Sequence, residues 1–257
     1  MSRALVEFGL RLVELRDDLA LLEYTFELRP RINQVLDFQK RGEVLDLARK
    51  FASLTGSRSA SFYGPMLVRL VASFERFLRS MIGETVENWA KKAETFDKLP
   101  EGLGERNLVL SGRFLASSDA PRDHLTVDLV TLVNNLASCR AGALDYRLNP
   151  GVFSAQISGV TPEAIESGLK AVRILNWWNA VGANTSLQSQ LGSRRTVDAS
   201  KQAQARLKEL SRWRNNWAHG GDDEVTLTNA EVQSALEFLS AFSKALDAAV
   251  AAHLNRA

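Results

Sequence analysis

The 257-residue sequence contains little of the chemistry that marks disulfide-bonded or metal-binding proteins. It has one cysteine, Cys139, and three histidines. A lone cysteine excludes an intramolecular disulfide and favours a reducing compartment such as the cytoplasm. Neither His124 nor His253 has neighbours at metal-ligand spacing, so we expect no zinc site. The sequence therefore predicts a protein without a metal or another cofactor.

Long apolar runs and phosphate-binding loops are also missing. The N-terminal segment has no apolar stretch followed by a cleavage site, and no run of about 18 apolar residues indicates a membrane span. These absences predict a cytoplasmic protein with no membrane partner. No Walker or Rossmann glycine pattern is present, so we expect no nucleotide site of either type.

Charge is nearly balanced over the chain but is unevenly placed. The net charge is +2, which by itself does not indicate a nucleic-acid-binding protein. The segment 194–214 is different, because basic residues outnumber acidic ones there: Arg194, Arg195, Lys201, Arg206, Lys208, Arg212 and Arg214 against Asp198 and Glu209. A solvated helix face is the usual explanation for most such side chains.

Helical periodicity extends through nearly the whole chain, and no hairpin or alternating strand is evident. We therefore predict an all-α protein, a helical bundle with an N-terminal extension. Apolar residues three or four apart from Leu5 to Phe26 predict a helix that ends at Pro30. A second helix over residues 32–54 would complete a helical hairpin, so the extension spans residues 1–54. The apolar stripe also fits a coiled-coil seam, although packing within the hairpin is the more common use.

The polar residues 55–59 predict a linker to a main domain over residues 60–257. Its helices and irregular segments follow from periodicity, caps and breakers. Helices are predicted over residues 65–96, 106–116, 122–140, 161–178 and 196–219, and from a Thr228–Glu231 capping box to about residue 253. Irregular segments are predicted over residues 142–160 and 184–195.

The predicted helix over residues 196–219 ends in Arg214, Asn215 and His219, directly before a Gly-Gly helix stop. Arg214 and His219 are five residues apart, which on a helix is about 140° of rotation and 7.5 Å of rise. Histidine near a helix C-terminus favours the imidazolium and suits proton transfer. Arginine offers a planar fork of donors to phosphate oxygens. These groups are sufficient for metal-independent RNA cleavage by the 2′-hydroxyl, with Asn215 as an orienting residue. A surface ion pair at Arg214 and a capping role for His219 remain the alternative.

This ending, Arg214-Asn215-x-x-x-His219 in an all-α chain, resembles the HEPN superfamily (higher eukaryotes and prokaryotes nucleotide-binding). The stretch LVRLVASFERFL over residues 67–78 is similar to the first core helix of the HEPN branch associated with ribosomal L-PSP-type proteins. Many HEPN proteins are endoribonucleases of toxin–antitoxin or phage-defence systems. The resemblance implies a homodimer in which two motifs face one cleft. It implies catalytic Arg214 and His219, with Asn215 supporting them and Glu75 as a weaker candidate. Arg79, one turn after Glu75, is a further possible supporting residue.

Residues around the motif suggest how RNA and partners would bind. Arg206, Lys208 and Arg212 are candidates for contacts with RNA. Trp213 and Trp217, one turn apart, suit base stacking, although such pairs more often pack in a core or a dimer. Because HEPN proteins without nuclease activity exist, a helical interaction or nucleotide-binding module remains the alternative function. An antitoxin or a sensor protein is a possible further partner.

Overall fold

The computed structural model describes residues 1–39, 59–116, 128–219 and 227–256, without the side chains of residues 28–39, 59–61 and 219. Within these ranges the protein has ten α-helices and a short 3-10 helix, and no β-strand, so the all-α prediction is confirmed. The helices are α1 Arg3–Gln39, α2 Ser59–Lys92, the 3-10 helix Phe96–Lys98, α3 Leu103–Ala116, α4 Leu129–Ser138, α5 Pro150–Ser154, α6 Pro162–Ala171, α7 Trp177–Gly182, α8 Thr185–Gln190, α9 Thr196–His219 and α10 Asn229–Arg256. None of the described helices is long and apolar enough to cross a membrane.

Helix α2 lies at the centre of the bundle, where α1, α5, α9 and α10 all pack against it. The reason is that its apolar residues cover a wide part of its circumference, and Leu67, Phe74 and Leu78 are fully buried. Aromatic rings of α1, α2 and α10 contact one another in the core. Phe8 of α1 stacks on Phe77 at 5.3 Å, and Phe242 of α10 meets Phe74 edge-on at 5.9 Å. The long helix predicted over residues 65–96 exists, but it begins earlier, at Ser59, and ends earlier, at Lys92, so that Phe96 belongs to the 3-10 helix.

Helix α1 does not end at Pro30, and that prediction is wrong. The helix continues through the proline to Gln39. Proline removes a single backbone hydrogen bond, and the neighbouring turns keep theirs, so a long helix can absorb the loss. The buried residues of α1 pack into the same core as α2 and α10. Residues 32–39 of the predicted second helix therefore belong to α1. Its residues 40–54 and most of the predicted linker lie outside the described residues, so the division at residue 54 stays a prediction.

Helix α6 begins as predicted and ends earlier than predicted. Thr161 caps it by accepting a hydrogen bond from the Ala164 backbone N–H at 3.2 Å. The helix ends at Ala171 because Arg173 adopts a left-handed φ of 66°. The Ile174 N–H then donates to the Leu169 carbonyl at 2.9 Å, as in a Schellman motif. The prediction that this helix continues to residue 178 is wrong, because residues 177 and 178 belong to the next helix, α7.

The two segments predicted as irregular each contain a short helix. Residues 142–160 include α5, which begins at Pro150, and residues 184–195 include α8. Asn184 begins α8 because its side-chain oxygen accepts from the Leu187 N–H at 3.0 Å. Caps of this kind are hard to distinguish from turns in a polar sequence. The remainder of both segments is irregular.

The predicted capping box of the last helix is confirmed. The Thr228 N–H donates to Glu231 Oε2 at 2.7 Å, and the Glu231 N–H donates back to Thr228 Oγ1 at 3.3 Å. Helix α9 has the predicted bounds, Thr196–His219. The Gly-Gly stop after it and residues 122–127 of the predicted helix 122–140 lie outside the described residues. The described part of that helix, α4, is shorter than predicted, because Asp128 caps its start at Leu129 and it ends at Ser138.

A buried polar network joins α3, α4 and the start of α5 at Asn149, which is completely buried. Its backbone N–H donates to Asn107 Oδ1 at 2.9 Å, and its side-chain nitrogen donates to Ser111 Oγ at 3.0 Å and to the Leu132 carbonyl at 3.3 Å. Asn135 Nδ2 donates to Asn149 Oδ1 at 2.9 Å. Every polar atom of the Asn149 side chain is therefore bonded, which fixes how α5 enters the core.

We predict that Asn149→Ala lowers the free energy of unfolding by about 2–4 kcal/mol, because it removes the side-chain bonds that Asn149 makes to the fully buried Ser111 hydroxyl and to the Leu132 carbonyl. Urea denaturation followed by circular dichroism measures the change. Asn134→Ala is the matched control, since Asn134 is exposed on α4 beside Asn135, and it should change stability by less than about 0.5 kcal/mol. Equal losses in the two variants would contradict the role of the network.

Candidate functional site

The motif occupies the last turn and a half of α9. Small and apolar residues at three- and four-residue spacing bury one side of this helix, among them Ala203, Leu207 and Leu210. That side packs against α2 and α7. The rest of the helix surface faces outward, and the C-terminal end carries the motif to one end of the bundle.

Trp217, inside the motif, fixes the end of α9 on the first part of α2. A Cβ at Gly64 would lie 2.1 Å from the Trp217 ring, so only glycine allows the two helices to approach so closely. The ring is partly buried, and its Nε1 is buried without a hydrogen-bond partner among the described residues. Sequence reasoning missed Gly64, although a glycine inside an apolar helical pattern is a signal of close packing.

Arg214 and Asn215 contact each other at this end of α9. The Arg214 Nη1 donates a hydrogen bond to Asn215 Oδ1 at 3.1 Å, and the Asn215 side chain is exposed. Among the described residues no carboxylate lies within ion-pair distance of Arg214, so the alternative of a surface ion pair gains no support there. His219 is the last residue of the helix, and its side chain is outside the described part.

The two weaker candidates on α2 bind each other instead of the motif. Arg79 Nη2 lies 2.5 Å from Glu75 Oε1, and the same guanidinium donates to the Ile157 carbonyl at 3.1 Å and 3.2 Å. Glu75 is eleven residues beyond Gly64, about 16 Å further along α2. The described contacts therefore join Glu75 and Arg79 to the loop after α5, and they do not join them to Arg214.

Arg206 and Trp213, both candidates for RNA contacts, have contacts within the chain. The Arg206 guanidinium pairs with Glu209 at 2.5 Å and lies 5.0 Å from the centre of the Trp213 ring. Trp213 is only 6% exposed. A ring with so little exposed surface has no face on which a base can stack, which agrees with its interpretation as a core residue.

Lys208 and Arg212, the other predicted RNA contacts, differ from each other. The Lys208 ammonium lies 2.7 Å from Glu163 of α6, and its hydrogen bond lowers the pKa of that carboxyl below its usual range. Arg212 is exposed and has no ion-pair partner among the described residues. Of the cations proposed to bind RNA, Arg212 is thus the one that the described contacts leave available next to the motif.

The remaining histidines were not expected to bind metal. His124 is outside the described residues, and the His253 ring packs edge-on against Trp89 at 6.5 Å. In the described part of the chain, no group of three or more His, Cys, Asp or Glu side chains is arranged to hold a metal ion.

We predict that Gly64→Ala displaces the Trp217 ring and lowers the free energy of unfolding by about 1–3 kcal/mol, because a Cβ has no room there. Gly112→Ala is the control, since Gly112 lies inside α3 and a Cβ at that position would meet nothing within 4 Å. That change should keep or raise stability by up to about 1 kcal/mol through helix propensity. Thermal unfolding and tryptophan fluorescence distinguish the two. A Gly64→Ala variant with the thermal stability and tryptophan fluorescence of the unmodified protein would contradict the close contact.

The comparisons with known proteins give no relative of this chain. No family model, no curated protein and no solved structure matches it. What the site can do has to be inferred from its own residues, and the likeness to HEPN proteins stays an expectation based on the two sequence stretches.

Proposed function

We propose that the protein is a metal-independent endoribonuclease in which Arg214 and His219 are catalytic and Asn215 orients them. The observation that supports this proposal best is the state of Arg214. Its guanidinium is held by Asn215 at 3.1 Å, next to the end of α9, and no described carboxylate neutralises it. A guanidinium in this state offers its remaining donors to the oxygens of a phosphodiester.

The proposed reaction uses the ribose 2′-hydroxyl as the nucleophile. Its oxygen attacks the adjacent phosphorus, and the bond from phosphorus to the 5′-oxygen of the next nucleotide breaks. His219 handles the proton that the 2′-hydroxyl loses and the leaving 5′-oxygen gains, while Arg214 stabilises the negative charge on the phosphorane. The products are a 2′,3′-cyclic phosphate, which water can open to a 3′-phosphate, and a 5′-hydroxyl.

The active unit in this proposal is a homodimer. Arg214 and His219 are about 140° apart around α9, so a single helix does not direct both side chains at one phosphate. Two copies of the motif that face each other would complete the site. The resemblance to HEPN proteins suggests a role as a toxin or in antiviral defence, with an antitoxin or a sensor protein as the regulating partner.

We predict that the purified protein cleaves total RNA in the presence of EDTA, and that Arg214→Ala or His219→Ala lowers the rate at least about 100-fold. Gel electrophoresis with end-group analysis should show 2′,3′-cyclic or 3′-phosphate ends. Arg195→Ala is the matched control, because Arg195 lies at the other end of the same basic segment and pairs with Asp198. It should leave the rate unchanged.

The same assay separates the proposal from its competitors. Cleavage that persists in both motif variants, or that requires a divalent metal, would contradict the assignment. A toxin kept silent by a partner would instead show poor growth on expression, and His219→Ala would rescue that growth.

The second candidate function is a non-catalytic helical module that docks a partner. The observation that favours it is the outer surface of α1, where Leu10, Leu21 and Tyr24 are each more than half exposed. Exposed large apolar side chains on one helix are typical of interaction surfaces. In that case the protein would cleave no RNA in EDTA, with or without its motif residues.

A further inference from the structure

A groove between α1 and α2 gathers three arginines. Its volume is about 230 Å³, and Arg11 of α1 lines it together with Arg69 and Arg76 of α2. Ser73 and Glu14 also line it. We call this feature the arginine groove. On α2, Arg69, Ser73 and Arg76 are spaced as positions i, i+4 and i+7, so their side chains share one side of the helix.

The packing of the two helices brings these side chains together. Helices α1 and α2 are antiparallel, since Asp18 pairs with Arg69 at 2.8 Å while Phe8 stacks on Phe77. Arg69 and Arg76 are therefore about 10 Å apart along α2 and point in nearly the same direction. Arg11 lies on α1, opposite this stretch of α2.

Two of the three arginines in the groove have no ion-pair partner in the part of the chain that the structure describes. Asp18 pairs with Arg69, but Arg11 and Arg76 have no carboxylate within ion-pair distance among the described residues. Glu14 is the one described carboxylate that lines the groove. Like charges that share a groove repel each other.

We propose that the arginine groove binds phosphate groups of a polyanionic ligand. Guanidinium forks from two helices match phosphate oxygens, and the Ser73 hydroxyl adds a neutral donor. The spacing of about 10 Å between Arg69 and Arg76 gives room for more than one phosphate. The ligand is accordingly a chain of phosphates, supplied either by a small polyphosphate compound or by a nucleic-acid backbone.

This site is separate from the motif on α9. Gly64, which touches Trp217, is five residues before Arg69 and so about 140° around α2 from it. The arginine groove faces α1, and the motif approaches α2 from another side. Binding at the groove does not depend on any nuclease activity, so the two proposals can fail independently.

Binding of two probes tests the site. Isothermal titration at low salt measures the affinity of the full-length protein for inorganic tripolyphosphate and for a single-stranded DNA oligonucleotide, which has phosphodiesters but no 2′-hydroxyl. We predict that the double variant Arg11→Gln/Arg76→Gln weakens binding at least about tenfold. The control is Arg113→Gln/Arg140→Gln, which removes the same charge from two exposed residues outside the groove and should keep the affinity.

The two probes also identify the source of the phosphates. Groove-dependent binding of tripolyphosphate indicates a small polyphosphate ligand, and groove-dependent binding of DNA alone indicates a nucleic-acid backbone. Without any anion, the groove variant should be at least as stable as the unmodified protein, because it removes two repelling charges. The proposal is overturned if neither probe binds, or if the control variant loses as much affinity as the groove variant.

Discussion

The close contact between Gly64 and Trp217 determines where the motif lies. Because glycine lacks a Cβ, the last turn of α9 can rest directly on the first part of α2. The buried side of α9 continues from this contact through Trp213 and Leu210 into the core. Arg214 and Asn215 then emerge at one end of the bundle, where a ligand can reach them. A larger residue at position 64 would move the whole end of the helix.

Five arginines that bear on the two proposed sites divide into two groups by their contacts. Arg79 and Arg206 pair with carboxylates on neighbouring turns and hold elements together. Arg214, Arg11 and Arg76 have no ion-pair partner among the described residues. Sequence composition treats both groups alike, since a net charge of +2 conceals where pairing occurs. Arg214 belongs to the motif, and Arg11 and Arg76 line the arginine groove, which are the two places where we propose that phosphate binds.

Helical periodicity and capping residues in the sequence predicted most of the long helices. The features that were not predicted depend on packing between residues far apart in the sequence. The bounds of α9 and the Thr228–Glu231 capping box depend on neighbouring residues, and the structure confirms both. The continuation of α1 through Pro30 and the left-handed turn at Arg173 were not predicted, because each is a local cost that the surrounding structure tolerates. The resemblance to HEPN proteins made Glu75 a weaker candidate for the site, but its ion pair with Arg79 becomes visible only in three dimensions.

The proposed nuclease site requires that two copies of the motif face each other across the dimer. The distance between spin labels at residue 218 tests this directly, since Ala218 is exposed one residue before His219. Ala218→Cys in a Cys139→Ser background gives one label per chain, because Cys139 is the only cysteine. We predict a single inter-chain distance on the order of 20–30 Å, as expected for helix ends that meet across a narrow cleft. A monomer, or a dimer whose labels lie well beyond that range, would contradict the account.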